Sequence, residues 1–141
     1  MTQNELNTQG GQSVVAILCR FLDDPDLEVR TKVAEGMCKL LMVGAIQSSK
    51  LSTRLLLMWY SPLTESNERV RNILGTFFPL YCSINRANQD SIEEAFMPTM
   101  RILFNAPPTS PLAEIDVEDV GLFFVNLTRE DMLQTKPSTS E

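Results

Sequence analysis

The sequence predicts an all-α fold, a short α-solenoid of about three helix pairs. Three observations predict it. Apolar residues recur at three- and four-residue intervals through six segments, and no alternating strand pattern of comparable length competes with them. The pair Val29-Arg30 returns 41 residues later as Val70-Arg71. Each of these arginines also has a carboxylate six residues before it, Asp24 before Arg30 and Glu65 before Arg71. A period near 40 residues is the length of a two-helix repeat, in which each pair buries its apolar face only against its neighbours.

The first helix, about 13–22, places Val14, Leu18, Phe21 and Leu22 on one face and stops at Asp23-Asp24-Pro25. The second, about 26–43, starts at Asp26, whose carboxylate can accept from the free N–H groups of a first turn, and turns Val29, Val33, Met37, Leu40 and Leu41 inward. The third, about 49–60, follows Ser48-Ser49 with Leu51, Leu55, Met58 and Trp59, and SPLTE breaks the chain after it. The fourth, about 66–84, carries Val70, Ile73, Leu74, Phe77 and Tyr81. Pro79 is expected to kink or divide it, since proline lacks an N–H and collides with the preceding turn.

The fifth helix, about 89–105, has Ile92, Phe96, Met100, Leu103 and Phe104 with an internal Pro98, leaving SINRANQD as the turn before it. After the proline-dense NAPPTSPLAEID, the sixth, about 116–128, opens at Asp116 with Asp119 three residues on and buries Val117, Val120 and Phe124. Its VGLFFV run at 120–125 fits a buried strand equally well. The pairs make repeats at about 12–43, 49–84 and 89–128 within a segment 12–129. A disordered polar leader, 1–11, and a flexible tail, 130–141, flank it.

Composition narrows the function. With 141 residues, 43% hydrophobic and 21% charged, the chain is expected to pack one core. Twelve basic against eighteen acidic residues give −6, which argues against a protein that coats nucleic acid over its whole surface. The basic excess is confined to residues 27–104, nine basic against seven acidic. Cys19, Cys38 and Cys82 are odd in number and lie singly in apolar runs, which suits a reducing compartment and core positions, with only Cys38 beside a lysine. The leader lacks a signal-peptide pattern and LLLMWY is too short to span a bilayer, so no membrane partner is expected.

Catalysis finds no footing. The absence of histidine removes Ser-His and Cys-His pairs and HExxH metal sites together, and there is no GxxxxGK[ST] or GxGxxG loop. The expectation is no enzyme activity, cofactor, metal or small-molecule substrate. Asp23/Asp24 and Glu93/Glu94 are assigned to helix ends or first turns, where carboxylates favour the helix dipole.

Among the cations, Lys32 and Lys39 follow Glu28 and Glu35 by four residues, a helix-stabilising spacing. Lys50 and Arg54 are four apart on one face with no carboxylate between Glu35 and Glu65, the best basic pair. With Arg69 and Arg86 they are the candidates for contact with DNA or an acidic partner, because phosphate binding needs only positive charge on a firm element. Ser61-Pro62 and Ser110-Pro111 match the minimal proline-directed phosphorylation pattern, and the loop position favours Ser110 over Ser61. Asn126-Leu127-Thr128 matches a glycosylation triplet that would be idle in a helix. Trp59, Tyr60, Phe77 and Phe78 offer an aromatic anchor for a partner, or core.

The segment ILCRFLDDPDLEVRTKVAEGM resembles the HEAT pattern of an apolar first helix, an acidic turn and an early Val-Arg in the second. In HEAT families the acid and the arginine form a ladder between stacked repeats, so the resemblance implies structural roles for Asp24, Arg30, Glu65 and Arg71. The third pair departs from it, as Val120 is followed by Gly121.

Three longer blocks, VAEGMCKLLMVGAIQSSKLSTRLLLMWYSPLTE at 33–65, LGTFFPLY at 74–81 and NQDSIEEAFMPTMRILFNAPPTSPLAEIDV at 88–117, resemble the C-terminal half of the HEAT-repeat subunit family of condensin. This implies a piece of a subunit several times longer, acting without catalysis in mitotic chromosome condensation. Such a subunit holds the kleisin subunit and, through it, the SMC ATPase subunits, and helps clamp duplex DNA without sequence preference. The location implied is the nucleus and mitotic chromosomes, with a cytoplasmic pool, under the control of mitotic kinases. The alternative is a general HEAT-type protein-interaction scaffold with no DNA role. Whether Lys50, Arg54, Arg69 and Arg86 share one face separates the two.

Overall fold

The computed structural model describes residues 14–133, which form six α-helices and no strand. Helix α1 covers residues 14–21, α2 Leu27–Met42, α3 Ser49–Tyr60, α4 Glu68–Ile84, α5 Arg86–Phe104 and α6 Val117–Leu127. The ambiguous 120–125 run is therefore helical. Residues 1–11 and 134–141 of the expected leader and tail lie outside the described residues. Within the expected tail, Glu130–Met132 forms a 3₁₀ turn, and Met132 packs against the core.

Five helices begin at a polar side chain that accepts from an N–H of the first turn: Asp26 from Glu28, Ser48 from Leu51, Asn67 from Val70, Asn85 from Asn88 and Asp116 from Glu118. Each such cap is worth about 1 kcal/mol. Asn85 corrects one boundary, because its cap starts α5 at Arg86, three residues before the expected start, and most of the expected turn is helical. Helix α2 ends where Gly44 takes φ 74°, a left-handed conformation open to glycine, letting the Ala45 N–H reach the Leu40 carbonyl at 3.0 Å.

Neither Pro79 nor Pro98 divides its helix. Proline in a helix interior costs about 3 kcal/mol, but Phe77, Phe78, Tyr81 and Cys82 around Pro79 are all buried, and that packing outweighs the local cost.

The helices form two layers. Helix α3 lies against α5 in one, and α2 against α4 and α4 against α6 in the other, with α4 also packed on α5 across the interface. Met37 and Leu41 of α2, Leu51, Leu55 and Leu56 of α3, Leu74 and Phe78 of α4, Ile92 and Ala95 of α5 and Val120 and Leu127 of α6 are at most 2% exposed. Three expected core positions are not core: Phe104 at the end of α5 is 69% exposed, and α1 leaves Val14 and Phe21 nearly half exposed while Leu22 is buried.

The connectors inside the three pairs share one device. In Asp24-Pro25-Asp26, Ser61-Pro62-Leu63 and Ser110-Pro111-Leu112 the side-chain oxygen of the first residue accepts from the N–H of the third, at 2.8, 3.2 and 3.2 Å. The proline fixes φ of the intervening residue and so holds the turn. The two Ser-Pro-Leu turns are 3₁₀ and pack on each other. This oxygen-proline turn gives the third pair the phase that the Val-Arg pattern does not.

Candidate functional site

An open cavity of about 460 Å³ lies between α2 and α4. Its walls are mostly apolar, with Cys38, Met42, Ile73 and Phe77 inside and Val43 and Leu80 at the mouth. Val43 is 77% and Leu80 46% exposed. A concave apolar strip with exposed large side chains suits an apolar segment of a protein partner. Burial, helped by the Glu35 carboxylate, pushes the Cys38 thiol up to about 12, so it stays protonated at neutral pH. Burial likewise pushes Cys82 up to about 12. Among the described residues no group of three or more His, Cys, Asp or Glu side chains is placed to hold a metal.

A second cavity, about 330 Å³, sits on the connector edge. Arg30, Arg54, Asp23 and Ser61 share it with apolar walls that include Leu63 and Leu112. Arg54 pairs with the Asp23 carboxylate. Arg30 donates through Nη1 to the Asp24 carbonyl at 2.9 Å.

The four cations proposed for DNA or acidic-partner contact differ in what surrounds them. Lys50 is exposed in the first turn of α3 and has no ion pair among the described residues. Arg54 turns toward the connector after α1. Arg69 reaches back to Glu35 of α2 at 3.5 Å. Arg86, the first residue of α5 and not a turn residue, is ringed by Asp90 at 2.9 Å and Glu93 at 3.0 Å. Three of the four are thus engaged with carboxylates. Glu93 also stands beyond the first turn of α5, so its role is this pair and not dipole stabilisation.

The expected ladder residues make different contacts. The Asp24 carboxylate accepts from the Asp26 N–H, and Arg30 uses the Asp24 backbone, so both bonds stay within the first connector. Arg71 lies over the Trp59 ring at 4.9 Å, a cation–π contact, while Glu65 is exposed and has no ion pair among the described residues. Of the other expected pairs, Lys32 does meet Glu28 at 3.5 Å, whereas Glu35 is taken by Arg69.

The candidate aromatic anchor points inward. Phe123 of α6 gathers Trp59, Tyr60 and Phe78 around it at ring distances of 6.4, 5.9 and 5.7 Å, and Phe77 stacks on Tyr81 at 5.1 Å. Gln89, unremarked in the sequence, is fully buried. It donates to the Arg129 carbonyl and accepts from Arg86, both at 2.9 Å, tying the chain after α6 to the start of α5. Its only sequence signal is an amide one helical turn after Arg86.

Comparison with known proteins accounts for the architecture. Residues 1–141 match the family model described as nuclear condensing complex subunits, C-terminal domain. The chain is 44% identical over 134 residues to condensin complex subunit 3 of Homo sapiens, covering 95% of this chain and 13% of that protein. It is 42% identical over 139 residues to the Xenopus laevis condensin complex subunit 3, covering 99% and 13%. The crystal structure of the S. pombe condensin Cnd3-Cnd2 subcomplex matches with a TM-score of 0.69 at 22% identity, over 89% of this chain and 17% of that one, and so shares the fold. The chain spans 13% of the length of its human and Xenopus relatives. On the match along its full length and this identity, the chain, a HEAT-repeat α-solenoid, belongs to the condensin subunit family of nuclear condensing complex subunits, through their C-terminal domain.

Proposed function

We propose that this chain is a non-enzymatic HEAT segment of a condensin subunit and acts in mitotic chromosome condensation by holding the kleisin subunit, which links it to the SMC ATPase subunits. The observation that carries the reading is the match of residues 1–141 to the condensin family. The S. pombe relative of the same fold was crystallised as a subcomplex with Cnd2, which supports a partner bound along the solenoid. The apolar strip between α2 and α4 is the surface of this chain best suited to that partner. Its place of action is the chromosome in the nucleus, with a cytoplasmic pool before assembly.

Duplex DNA clamping belongs to the whole subunit in this reading, and this segment adds little to it. Three of the four candidate cations are already paired, and the net charge is −6. Lys50 is the residue through which a phosphate contact would run.

The test is co-purification of the chain with its kleisin subunit, comparing the wild type with Val43→Glu/Leu80→Glu. Both side chains are exposed, so the variant folds and its capture falls at least tenfold. Undiminished capture by a folded variant would move the contact off this groove. In parallel, a salt series with a short labelled duplex should show weak binding whose slope drops by about one in Lys50→Glu.

A further inference from the structure

Of the two Ser-Pro sites, the structure separates one from the other. Ser-Pro-Leu-x-Glu occurs as SPLTE at 61–65 and SPLAE at 110–114, and both serines cap the same 3₁₀ turn through Oγ. Their surroundings differ. Ser61 lines the connector-edge cavity together with Arg30 and Arg54, whereas Ser110 is not part of it and is followed by Glu114 and Asp116. Arg54 lies in α3 seven residues before Ser61, the residue that caps the C-terminus of that helix, and the two line the same cavity. Arg30 has spent one guanidinium nitrogen on a backbone carbonyl, and Arg54 is held by a carboxylate whose side chain is 67% exposed.

We propose that Ser61 is a phosphorylation site and that Arg30 and Arg54 form the receptor for its phosphate. A proline-directed protein kinase supplies the transfer from ATP. The Ser61 Oγ attacks the γ-phosphorus, the bond from that phosphorus to the β,γ-bridging oxygen breaks, the hydroxyl proton passes to the kinase's base and ADP leaves. The product carries about −1.5 to −2 charges and three strong acceptor oxygens. Such a group competes well for Arg54 against the exposed Asp23 carboxylate and takes Arg30 as second partner, since guanidinium–phosphate bonds are charge-assisted and bidentate. The cavity of about 330 Å³ is open to water and far larger than a phosphoryl group.

The first helix pair supports the assignment, because the residue equivalent to Ser61 there is Asp24, a permanent anion on the same turn, with Arg30 against its backbone. Phosphorylation gives the second pair the charge that the first one always has. The consequence is a clamp that joins α2, α3 and the connector at Ser61 and stiffens that edge of the solenoid.

The test uses the 141-residue chain with phosphoserine placed at 61 or at 110, and the wild-type chain treated with a proline-directed kinase and ATP. Kinase treatment is expected to phosphorylate Ser61, read by peptide mass mapping. By ³¹P NMR titration the phosphate at 61 should lose its second proton at lower pH than the phosphate at 110. That gap should close in Arg30→Gln or Arg54→Gln. Phosphoserine at 61 should also raise Tm by about 4 °C, and phosphoserine at 110 should not. Equal ³¹P midpoints, an unchanged or lowered Tm at 61, or incorporation at Ser110 alone would each overturn the proposal.

Discussion

Replacing Phe123 with alanine should loosen the third helix pair from the second. The ring of Phe123 stacks near Trp59 at 6.4 Å and meets Tyr60 and Phe78 edge-on at 5.9 and 5.7 Å, joining α6 to α3 and α4. Full truncation of a buried phenylalanine costs about 3–5 kcal/mol. Each aromatic pair contributes about 0.5–1.5 kcal/mol beyond its buried area. Phe123 is only partly buried, so the lower end applies, about 3 kcal/mol. Urea unfolding followed by far-UV circular dichroism measures the loss, and Trp59, the single tryptophan, reports by a red-shifted emission whether its packing has opened. A double-mutant cycle with Trp59→Ala should return a coupling of about 1 kcal/mol. A loss below about 1 kcal/mol with unchanged emission would mean that the hub does not hold the pair, and the reasoning would fail.

Three further outcomes follow from contacts described above. Gln89→Leu should cost about 2 kcal/mol, because two hydrogen bonds at 2.9 Å are lost, and hydrogen exchange at residues 129–132 should quicken. Gly36→Ala, with nothing within 4 Å of the new Cβ, should gain about 0.5–1 kcal/mol from helix propensity, whereas Gly75→Ala puts its Cβ 3.2 Å from the Trp59 ring and should gain nothing while shifting the emission. Thermal unfolding of the two variants side by side checks this. In alkali the stability should fall between about pH 9 and 12: Cys38 and Cys82 ionise near 9 in the unfolded chain but near 12 when folded, so their contribution is intact below 9 and lost as pH rises through 12. Denaturant titrations at pH 8 and 10 measure it, and at pH 8 a thiol reagent should modify Cys19 ahead of the other two.

The number of helices, their order and most of their starts were legible because they rest on short-range chemistry. Asp26, Ser48 and Asp116 are oxygen-bearing residues directly before apolar periodicity, and each caps its helix as expected. Asn85 was missed because Asn-Arg-Ala-Asn reads as a turn until the Asn85 side chain is seen to accept from Asn88. Pro79 does not divide α4 for a related reason, since its local cost is real and only long-range burial of its neighbours outweighs it. The Asp/Ser-Pro turn of all three connectors was open to inspection, but its spacings of 37 and 49 residues hide it from a search for one fixed period.

The candidate site was less legible, because a charge in a sequence carries no address. Lys50 and Arg54 are neighbours on α3, yet one has no ion pair among the described residues and the other is committed to Asp23, 31 residues away. Arg69 and Arg86 found carboxylates on another helix and on their own. Phe78 became core, and Trp59 and Tyr60 packed against it partly buried, because α6 brought Phe123 to them, which depends on how the third pair stacks.

The sequence by itself determined the helical class, the pairing rhythm and the family, since periodicity, capping and blocks such as WYSPLTE are local and survive without coordinates. Only the tertiary structure decided which cations meet carboxylates, which aromatics are buried, where the apolar groove opens and which Ser-Pro serine lines a cavity with two arginines. The division follows from range: a helix is fixed by bonds between residues four apart, whereas a site is made where residues from different helices meet, and those distances are set by packing.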